Sequence, residues 1–304
     1  MKSIQRILIL PILMIIALSV SSPAQDNLPQ KLKSAIAGFK GDAGIYVRHL
    51  QTGEIVEINA DTLFPTASMI KIPIMLKVFD LIEQGKLDYG ADLLWYADSI
   101  NYPYGDGILY SFQEGKSISL DKIISLMITY SDNHASLWCQ KLAGGENINR
   151  WLDDHQFPKT RMNSRTEGRH EDWKKYGWGQ TTPREMAEMM VMIREGRAIS
   201  SAASETMYRV LTRPYWDDEA LSQIPPYVQA ASKNGAVNQS RSEVVLVNAP
   251  SGDYVFCIIT QNQEDISWDA SNEGFVLIRT VSRILWHHFE PGHQWKPAAG
   301  IGKY

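Results

Sequence analysis

Residues 66–76 read TASMIKIPIML, and this stretch decides how the remainder of the chain is interpreted. Its second half is strongly apolar and, with Gly85 as a stop signal, predicts a helix over residues 68–84. Residues three positions apart share a helix face, so Ser68 and Lys71 are expected to lie side by side. A serine hydroxyl becomes a good nucleophile when a neighbour takes its proton, and burial lowers a lysine pKa enough for this. The stretch therefore predicts a reactive serine at the start of a rigid helix.

The same spacing recurs at Ser119 and Lys122, so the pattern alone is a weak signal. In this second copy, Ser119 precedes an apolar helical run and is interpreted as the N-cap of a solvent-exposed helix start. The setting of each serine, rather than its spacing from a lysine, therefore separates the two copies.

A polar trio, Ser131-Asp132-Asn133, interrupts the apolar stretch over residues 120–140. Polar groups at such a place cost free energy unless they are satisfied, which indicates a specific role. The Ser131 hydroxyl can pass a proton, and the Asn133 amide can both donate and accept hydrogen bonds. The alternative is a turn that merely breaks the helix.

A third motif, Lys233-Asn234-Gly235-Ala236, lies on the approach to a strand. It offers a cation, a side-chain amide and a glycine that allows close backbone approach. Taken alone, such a segment is most often a simple turn.

Strand patterns lie on either side of this middle region. Two alternating pairs of segments, each joined by a short turn, predict hairpins over residues 43–60 and 242–260. Helices are predicted over residues 28–39, 183–196 and 273–289. Neither end has enough strands for a sheet of its own, so the strands of both ends are expected to form one sheet. The predicted fold is α+β: an antiparallel sheet flanked by the N- and C-terminal helices, with an inserted all-helical lobe. The predicted bounds are a sheet lobe of about 25–61 and 212–290, a helical lobe of about 62–211 and a tail of 291–304.

The first 24 residues have the pattern of a secretory signal peptide. Lys2 and Arg6 precede an apolar run from Ile7 to Val20, and small residues follow up to Ala24. The alternative is a membrane anchor, but the run is shorter than the roughly 20 residues that a spanning helix needs. The sequence thus predicts cleavage near Ala24, export to the periplasm and no stable membrane anchor.

Composition narrows the function further. The chain has 304 residues, of which 44% are hydrophobic and 21% charged, and a formal net charge of −4. The sequence contains no basic stripe, so a nucleic-acid partner is not expected. Cys139 and Cys257 both lie in apolar segments, which favours two buried thiols over a disulfide. No histidine spacing indicates a metal site, and no cofactor is expected.

Taken in order, the three motifs resemble the signature of the class A serine β-lactamases and related penicillin-recognising enzymes, which is Ser-x-x-Lys, Ser-Asp-Asn and Lys-Thr-Gly. The resemblance extends from about residue 28 to 290. It implies that Ser68 attacks a lactam carbonyl, that Lys71 acts as the base or as part of a proton relay, and that Ser131 delivers the proton to the leaving nitrogen. The implied substrate is a small-molecule β-lactam.

The resemblance also implies roles in substrate binding. The N–H groups of Ser68 and Ala236 would form the oxyanion hole, and Asn133 would hold the acylamide side chain of the substrate. Lys233, with Asn234 and Gly235 beside it, would attract the substrate carboxylate. Arg241 lies near the place of a second carboxylate-binding arginine, with an exposed strand arginine as the alternative.

Hydrolysis of the acyl-enzyme requires a further group, and the resemblance points to a loop. Arg165-Thr166-Glu167 matches its start and Thr181-Thr182-Pro183 its end. Glu167 is therefore the candidate base that activates a water for deacylation.

The loop also departs from the family pattern. His170-Glu171 replaces a Leu-Asn pair, Gly179 stands in place of an aspartate, and Asn234 replaces the threonine of Lys-Thr-Gly. Glu171 is an alternative deacylation partner or base.

Three functional hypotheses follow. The leading one is a serine β-lactamase that forms an acyl-enzyme on Ser68. The second is a D-Ala-D-Ala carboxypeptidase, or another serine amidase or esterase on the same scaffold. The third is a penicillin-binding sensor that is acylated but deacylates slowly. Glu167 favours the first hypothesis over the second, and the altered loop favours the third.

Overall fold

The computed structural model describes residues 27–300. The helices, in chain order, are Leu28–Ile36 (α1), Lys71–Glu83 (α2), Leu120–Thr129 (α3), Asn133–Ala143 (α4), Gly145–Asp154 (α5), His170–Tyr176 (α6), Pro183–Arg194 (α7), Ser201–Leu211 (α8) and Glu273–Phe289 (α9). The strands are Asp42–His49 (β1), Ile55–Ile58 (β2), Phe64–Pro65 (β3), Asp92–Leu94 (β4), Ser117–Ser119 (β5), Arg161–Met162 (β6), Gly179–Thr181 (β7), Ala230–Val237 (β8), Ser240–Val247 (β9) and Tyr254–Gln261 (β10).

The largest sheet combines both ends of the chain. Its five antiparallel strands follow the order β2-β1-β10-β9-β8. The first and last parts of the chain meet where β1 pairs with β10, and Ile45 lies there between Ile58 and Ile258. The predicted α+β fold, with a sheet built from both ends, is confirmed.

Both faces of this sheet are covered, because successive residues of a strand point to opposite faces. Tyr254, Phe256 and Ile258 of β10 pack in one apolar core with α1 and α9. Val255, Cys257 and Ile259 face the other core, which includes residues of α2, α3, α4, α5, α7 and α8. This explains why the strand is apolar throughout instead of alternating.

The helical region between β2 and β8 positions the chemistry. Helix α2 lies at its centre and contacts α3, α4 and α5, while α7 packs against β1, β9 and β10. Helices α3 and α4 are separated at residues 130–132, where the polar trio was expected to interrupt the helix.

Some local predictions differ from the structure. Residues Ala67–Ile70 form a 3₁₀ turn, so the predicted helix over residues 68–84 becomes this turn followed by α2. Ser119 is in the N-cap position of α3, but its side chain makes no capping bond and instead accepts a hydrogen bond from Lys122 Nζ at 3.0 Å. Residues 233–236, expected on the approach to a strand, lie within the edge strand β8, Ala230–Val237.

The two cysteines, both within the described range, are buried free thiols. No helix within residues 27–300 is long and apolar enough to cross a membrane. The predicted signal peptide, residues 1–24, lies outside the described residues, as do the last four residues of the predicted tail.

Candidate active site

One cavity of about 660 Å³ brings together six residues that the sequence singled out. These lining residues are Ser68, Ser131, Asn133, Asn234, Gly235 and Ala236. They come from the 3₁₀ turn before α2, the junction of α3 and α4, and the edge strand β8. Three motifs that are far apart in sequence therefore meet at one site.

Ser68 lies on the 3₁₀ turn that β8 contacts directly. The turn begins at Ala67, whose φ of 45° is unusual for a residue other than glycine. A Cβ atom added to Gly235 would lie 2.9 Å from Ser68 N and 2.8 Å from Thr66 O. Only glycine at position 235 therefore lets the backbone of β8 approach Ser68 this closely.

Lys71 is completely buried at the first residue of α2. Its Nζ donates to Ser131 O at 2.6 Å, to Ser131 Oγ at 3.0 Å and to Asn133 Oδ1 at 3.0 Å. Burial, and secondly the charge of Lys233, hold the pKa of Lys71 well below its usual range. The amine is thus suited to accept a proton, and its bonds connect it to Ser131.

The polar trio forms a tight junction between two helices. Ser131 has a φ of 57°, which turns the chain between α3 and α4. Asp132 caps α4, because its Oδ1 accepts from Ala135 N at 2.9 Å, and its Oδ2 accepts from Leu109 N at 2.9 Å. The trio therefore breaks the helix and also presents Ser131 and Asn133 to Lys71.

Lys233 is buried behind the cavity wall. Its Nζ donates to Asn234 O at 2.8 Å and to Asn234 Oδ1 at 2.9 Å, and Asn234 itself lines the cavity. Burial lowers the pKa of Lys233 to about 7, an effect that Glu243 opposes. Lys233 therefore supplies charge close to the cavity, with Asn234 between it and the open space.

Arg241 is neither exposed nor part of the cavity lining. It is fully buried, and its guanidinium donates to the carbonyl oxygens of Val237 at 2.9 Å and Ser267 at 2.6 Å. The guanidinium also lies 4.5 Å from the ring centre of Trp268. The exposed-arginine interpretation is therefore wrong. The guanidinium is hydrogen-bonded within the protein and does not line the cavity, whereas Ser242, the next residue of β9, does.

The two candidate glutamates lie outside the cavity lining. They belong to residues 163–178, called the glutamate loop below. Glu167 is exposed, and within residues 27–300 its carboxylate has no hydrogen-bond or ion-pair partner. The side chain of Glu171 is 84% exposed, and its Oε1 pairs with Lys174 Nζ at 2.8 Å. The structure does not bring either carboxylate to Ser68.

A different arginine from the one expected ties this loop together. Arg169 donates to Asn163 Oδ1 at 2.9 Å and to Gln180 Oε1 at 3.0 Å. Arg165, at the expected loop start, donates to Asn101 O at 2.8 Å. A Cβ at position 179 would lie 2.8 Å from Arg161 O, so the aspartate that the family pattern has there would not fit this backbone.

Comparison with known proteins shows the family to which the chain belongs. A profile described as "Beta-lactamase enzyme family" matches residues 27–289. The chain belongs to the beta-lactamase enzyme family. A curated member, Beta-lactamase VEB-1 of Pseudomonas aeruginosa, is 20% identical over 299 residues, which cover 95% of this chain and 99% of that protein.

Solved structures share the beta-lactamase fold. A point mutant of PBP-A, in an acyl-enzyme complex with penicillin-G, has a TM-score of 0.76 at 24% identity and covers 87% of this chain and 97% of its own. A class A beta-lactamase from Mycobacterium abscessus has a TM-score of 0.76 at 19% identity and covers 86% and 99%. At these identities the likeness establishes the fold alone.

Sequence reasoning missed several residues that line the cavity of this beta-lactamase family member. An aromatic rim is formed by Tyr130, Tyr215, Trp216 and Trp268. Tyr130 and Tyr215 stack with ring centres 4.9 Å apart, and Trp216 Nε1 donates to Tyr130 O at 2.9 Å. Asp106 also lines the cavity. The adjacent Tyr215-Trp216 pair in a polar segment was the available signal for the rim.

Proposed function

We propose that this protein is a serine β-lactamase that forms an acyl-enzyme on Ser68. The observation that carries the proposal is the fully buried Lys71, whose lowered pKa and 3.0 Å contact with Ser131 Oγ lie beside a cavity lined by Ser68. A buried lysine whose pKa is lowered, hydrogen-bonded to one serine at the edge of a cavity that a second serine lines, is an arrangement suited to activating a serine nucleophile.

In the proposed acylation, Ser68 Oγ bonds to the lactam carbonyl carbon and loses its proton to Lys71. The N–H groups of Ser68 and Ala236 stabilise the oxyanion. Ser131 then passes a proton to the lactam nitrogen while Lys71 reprotonates Ser131, and the carbon–nitrogen bond breaks. Lys233 attracts the substrate carboxylate, and Asn234 bridges the two groups.

In the proposed deacylation, a water attacks the ester and Ser68 leaves with the proton that the base took from the water. Glu167 remains our candidate for that base. Because its carboxylate is exposed and outside the cavity lining, the glutamate loop must move before Glu167 can act. We therefore propose that deacylation is the slow step of the reaction.

One observation favours a second candidate, a penicillin-binding sensor with very slow deacylation. Both Glu167 and Glu171 lie away from the cavity lining, so a water at the ester would have no glutamate base without that movement. PBP-A, a point mutant of which was solved as an acyl-enzyme with penicillin-G, shares the fold. For either candidate we propose export, because residues 1–24 have the pattern of a signal peptide.

The test uses a chromogenic cephalosporin and follows both turnover and protein mass. The proposal expects steady turnover in the natural protein, with neither turnover nor adduct in the Ser68→Ala variant. A stable adduct without turnover would support the sensor. Absence of both from the natural protein would contradict both candidates and leave a peptidase or esterase, to be assayed with a D-Ala-D-Ala peptide.

A further inference from the structure

Asp106 is an acidic residue of the cavity wall to which neither the motifs nor the proposed mechanism gives a role. It lies between the 3₁₀ turns Ala97–Ser99 and Leu109–Ser111 and lines the same cavity as Ser68. Its carboxylate is on the opposite side of Asn133 from Lys71, so the three side chains form a chain of contacts.

The contacts fix the orientation of the Asn133 amide. Its Oδ1 accepts from Lys71 Nζ at 3.0 Å, and its Nδ2 donates to Asp106 Oδ2 at 3.0 Å and to Tyr102 OH at 3.1 Å. An amide has one acceptor and two donor hydrogens. The carboxylate accepts only, so the amide nitrogen must face Asp106 and the oxygen must face Lys71. Both N–H donors of Asn133 are thereby in use.

The backbone around Asp106 is itself held against the start of α4. Asp106 O lies 3.1 Å from Nδ1 of His134, which is fully buried. A Cβ atom on the next residue, Gly107, would lie 2.6 Å from Asp132 Oδ2. The close packing at Gly107 and the His134 contact fix the backbone at Asp106, and the fixed backbone in turn positions the Asp106 carboxylate.

We propose that Asp106 is a positioning and specificity-determining residue of this site. Its carboxylate holds the Asn133 amide oxygen against Lys71. The same carboxylate accepts the hydrogen bond of an Asn133 N–H that would otherwise be donated to the acylamide carbonyl of a substrate. The specificity part of this inference rests on the proposed acylation of Ser68, whereas the positioning part does not.

The charge of Asp106 also acts on Lys71. The charged groups around Lys71 are Lys233 from β8, Asp132 at the start of α4, and Asp106. Lys233 favours the neutral amine, as burial does, whereas the two aspartates favour the ammonium. Removing the Asp106 charge should therefore lower the pKa of Lys71 further.

The first experiment measures this titration without any substrate. The ¹³Cε resonance of Lys71 is followed against pH in lysine-labelled protein, with Lys71→Met for assignment. Asp106→Asn, which keeps an acceptor for Asn133 but removes the charge, should move the Lys71 midpoint to lower pH. Asp98→Asn removes the same charge from an exposed position outside the cavity lining and should leave it unchanged.

The second experiment measures acylation rates with benzylpenicillin, which has an acylamide, and with 6-aminopenicillanic acid, which lacks one. Asp106→Ala frees one N–H of Asn133 and should raise the ratio of the two rates about tenfold. Asp106→Asn keeps the acceptor and should leave the ratio near that of the natural protein.

The inference is overturned if Lys71 titrates identically in the natural protein and Asp106→Asn, or if Asp106→Ala leaves the rate ratio unchanged. Failure of the proposed function gives a different result. In that case neither compound acylates the natural protein, while the Lys71 midpoints of Asp106→Asn, which keeps the acceptor for Asn133, and of Asp106→Ala, which removes it, still decide the positioning role: equal midpoints in the two variants would contradict it.

Discussion

Two regions around Ser68 differ in how completely they are assembled. The acylation cluster comprises Ser68, Lys71, Ser131, Asn133 and Gly235. Its members contact one another across the turn before α2, the α3–α4 junction and β8. The glutamate loop is anchored by its arginines, yet both of its glutamates are exposed. Under the proposed function, this difference means that the protein is prepared for attack on a substrate but must rearrange to release the product.

The physical reason lies in the cost of burial. A buried lysine is expensive unless its hydrogen bonds are satisfied, so Lys71 requires fixed partners and its surroundings become rigid. An exposed carboxylate has no such requirement, because water solvates it in any position. The fixed surroundings of Lys71 therefore follow from its burial, and no such requirement acts on Glu167.

Among the changes that test this difference, replacing Lys71 should have the largest effect, and it should act on the acylation rate. Lys71→Met keeps an unbranched side chain but removes the base, so the acylation rate should fall about 10²–10⁴-fold. The matched control is Lys122→Met, which removes the lysine of the look-alike pair with Ser119 and should leave the rate unchanged. Stopped-flow acylation with a chromogenic cephalosporin measures both, and equal rates in the two variants would contradict the role of Lys71.

The two glutamates of the loop should behave differently from each other. Glu167→Gln should slow deacylation about 10²-fold, because the amide cannot take a proton from water. Glu171→Gln should change it less than about twofold, since an exposed pair with Lys174 contributes little. Decay of the acyl-enzyme, followed by mass spectrometry after excess substrate is removed, gives both rates. A reversed order of effects would make Glu171 the base.

A smaller change tests the packing within the cluster. Gly235→Ala places a Cβ against backbone atoms of Thr66 and Ser68, which cannot move independently of the turn. The acylation rate should fall about tenfold through displacement of Ser68, and deacylation should change less. Gly38→Ala, where a Cβ meets nothing within 4 Å, is the control. Unchanged acylation in Gly235→Ala would show that the close contact is dispensable.

The smallest predicted effect concerns substrate binding and pH. The pKa of Lys233 is lowered to about 7, so its positive charge is present below that pH and is lost as the pH rises through it. The KM for a carboxylate-bearing β-lactam should therefore rise about fivefold between pH 6 and 8, a range chosen around that pKa. The methyl ester of the same compound carries no charge and should show a flat KM. A parallel rise for the ester would assign the effect to another group.

Local patterns predicted much of this molecule. The hairpins, the bounds of α9 and the break between α3 and α4 depend on neighbouring residues, and they are confirmed. The grouping of Ser68, Ser131 and Gly235 was also predictable, because three ordered motifs matched a known signature.

Features that depend on distant partners were not predictable. Arg241 is buried because Ser267 and Trp268, from a later segment, lie against it. Asp106 gains its proposed role only because Asn133, 27 positions along the chain, faces it. The exposure of Glu167 likewise depends on how Arg165 and Arg169 hold the loop.

The most direct test of the central contrast is a rapid-quench experiment with a chromogenic cephalosporin in excess over the natural protein. Fast attack followed by slow release predicts a burst of about one equivalent of product per protein and then a slower steady phase. The mass of the acyl-enzyme should appear during the burst. A linear time course from the start, with no acyl-enzyme detectable during turnover, would show that deacylation is not the slow step and would contradict the account.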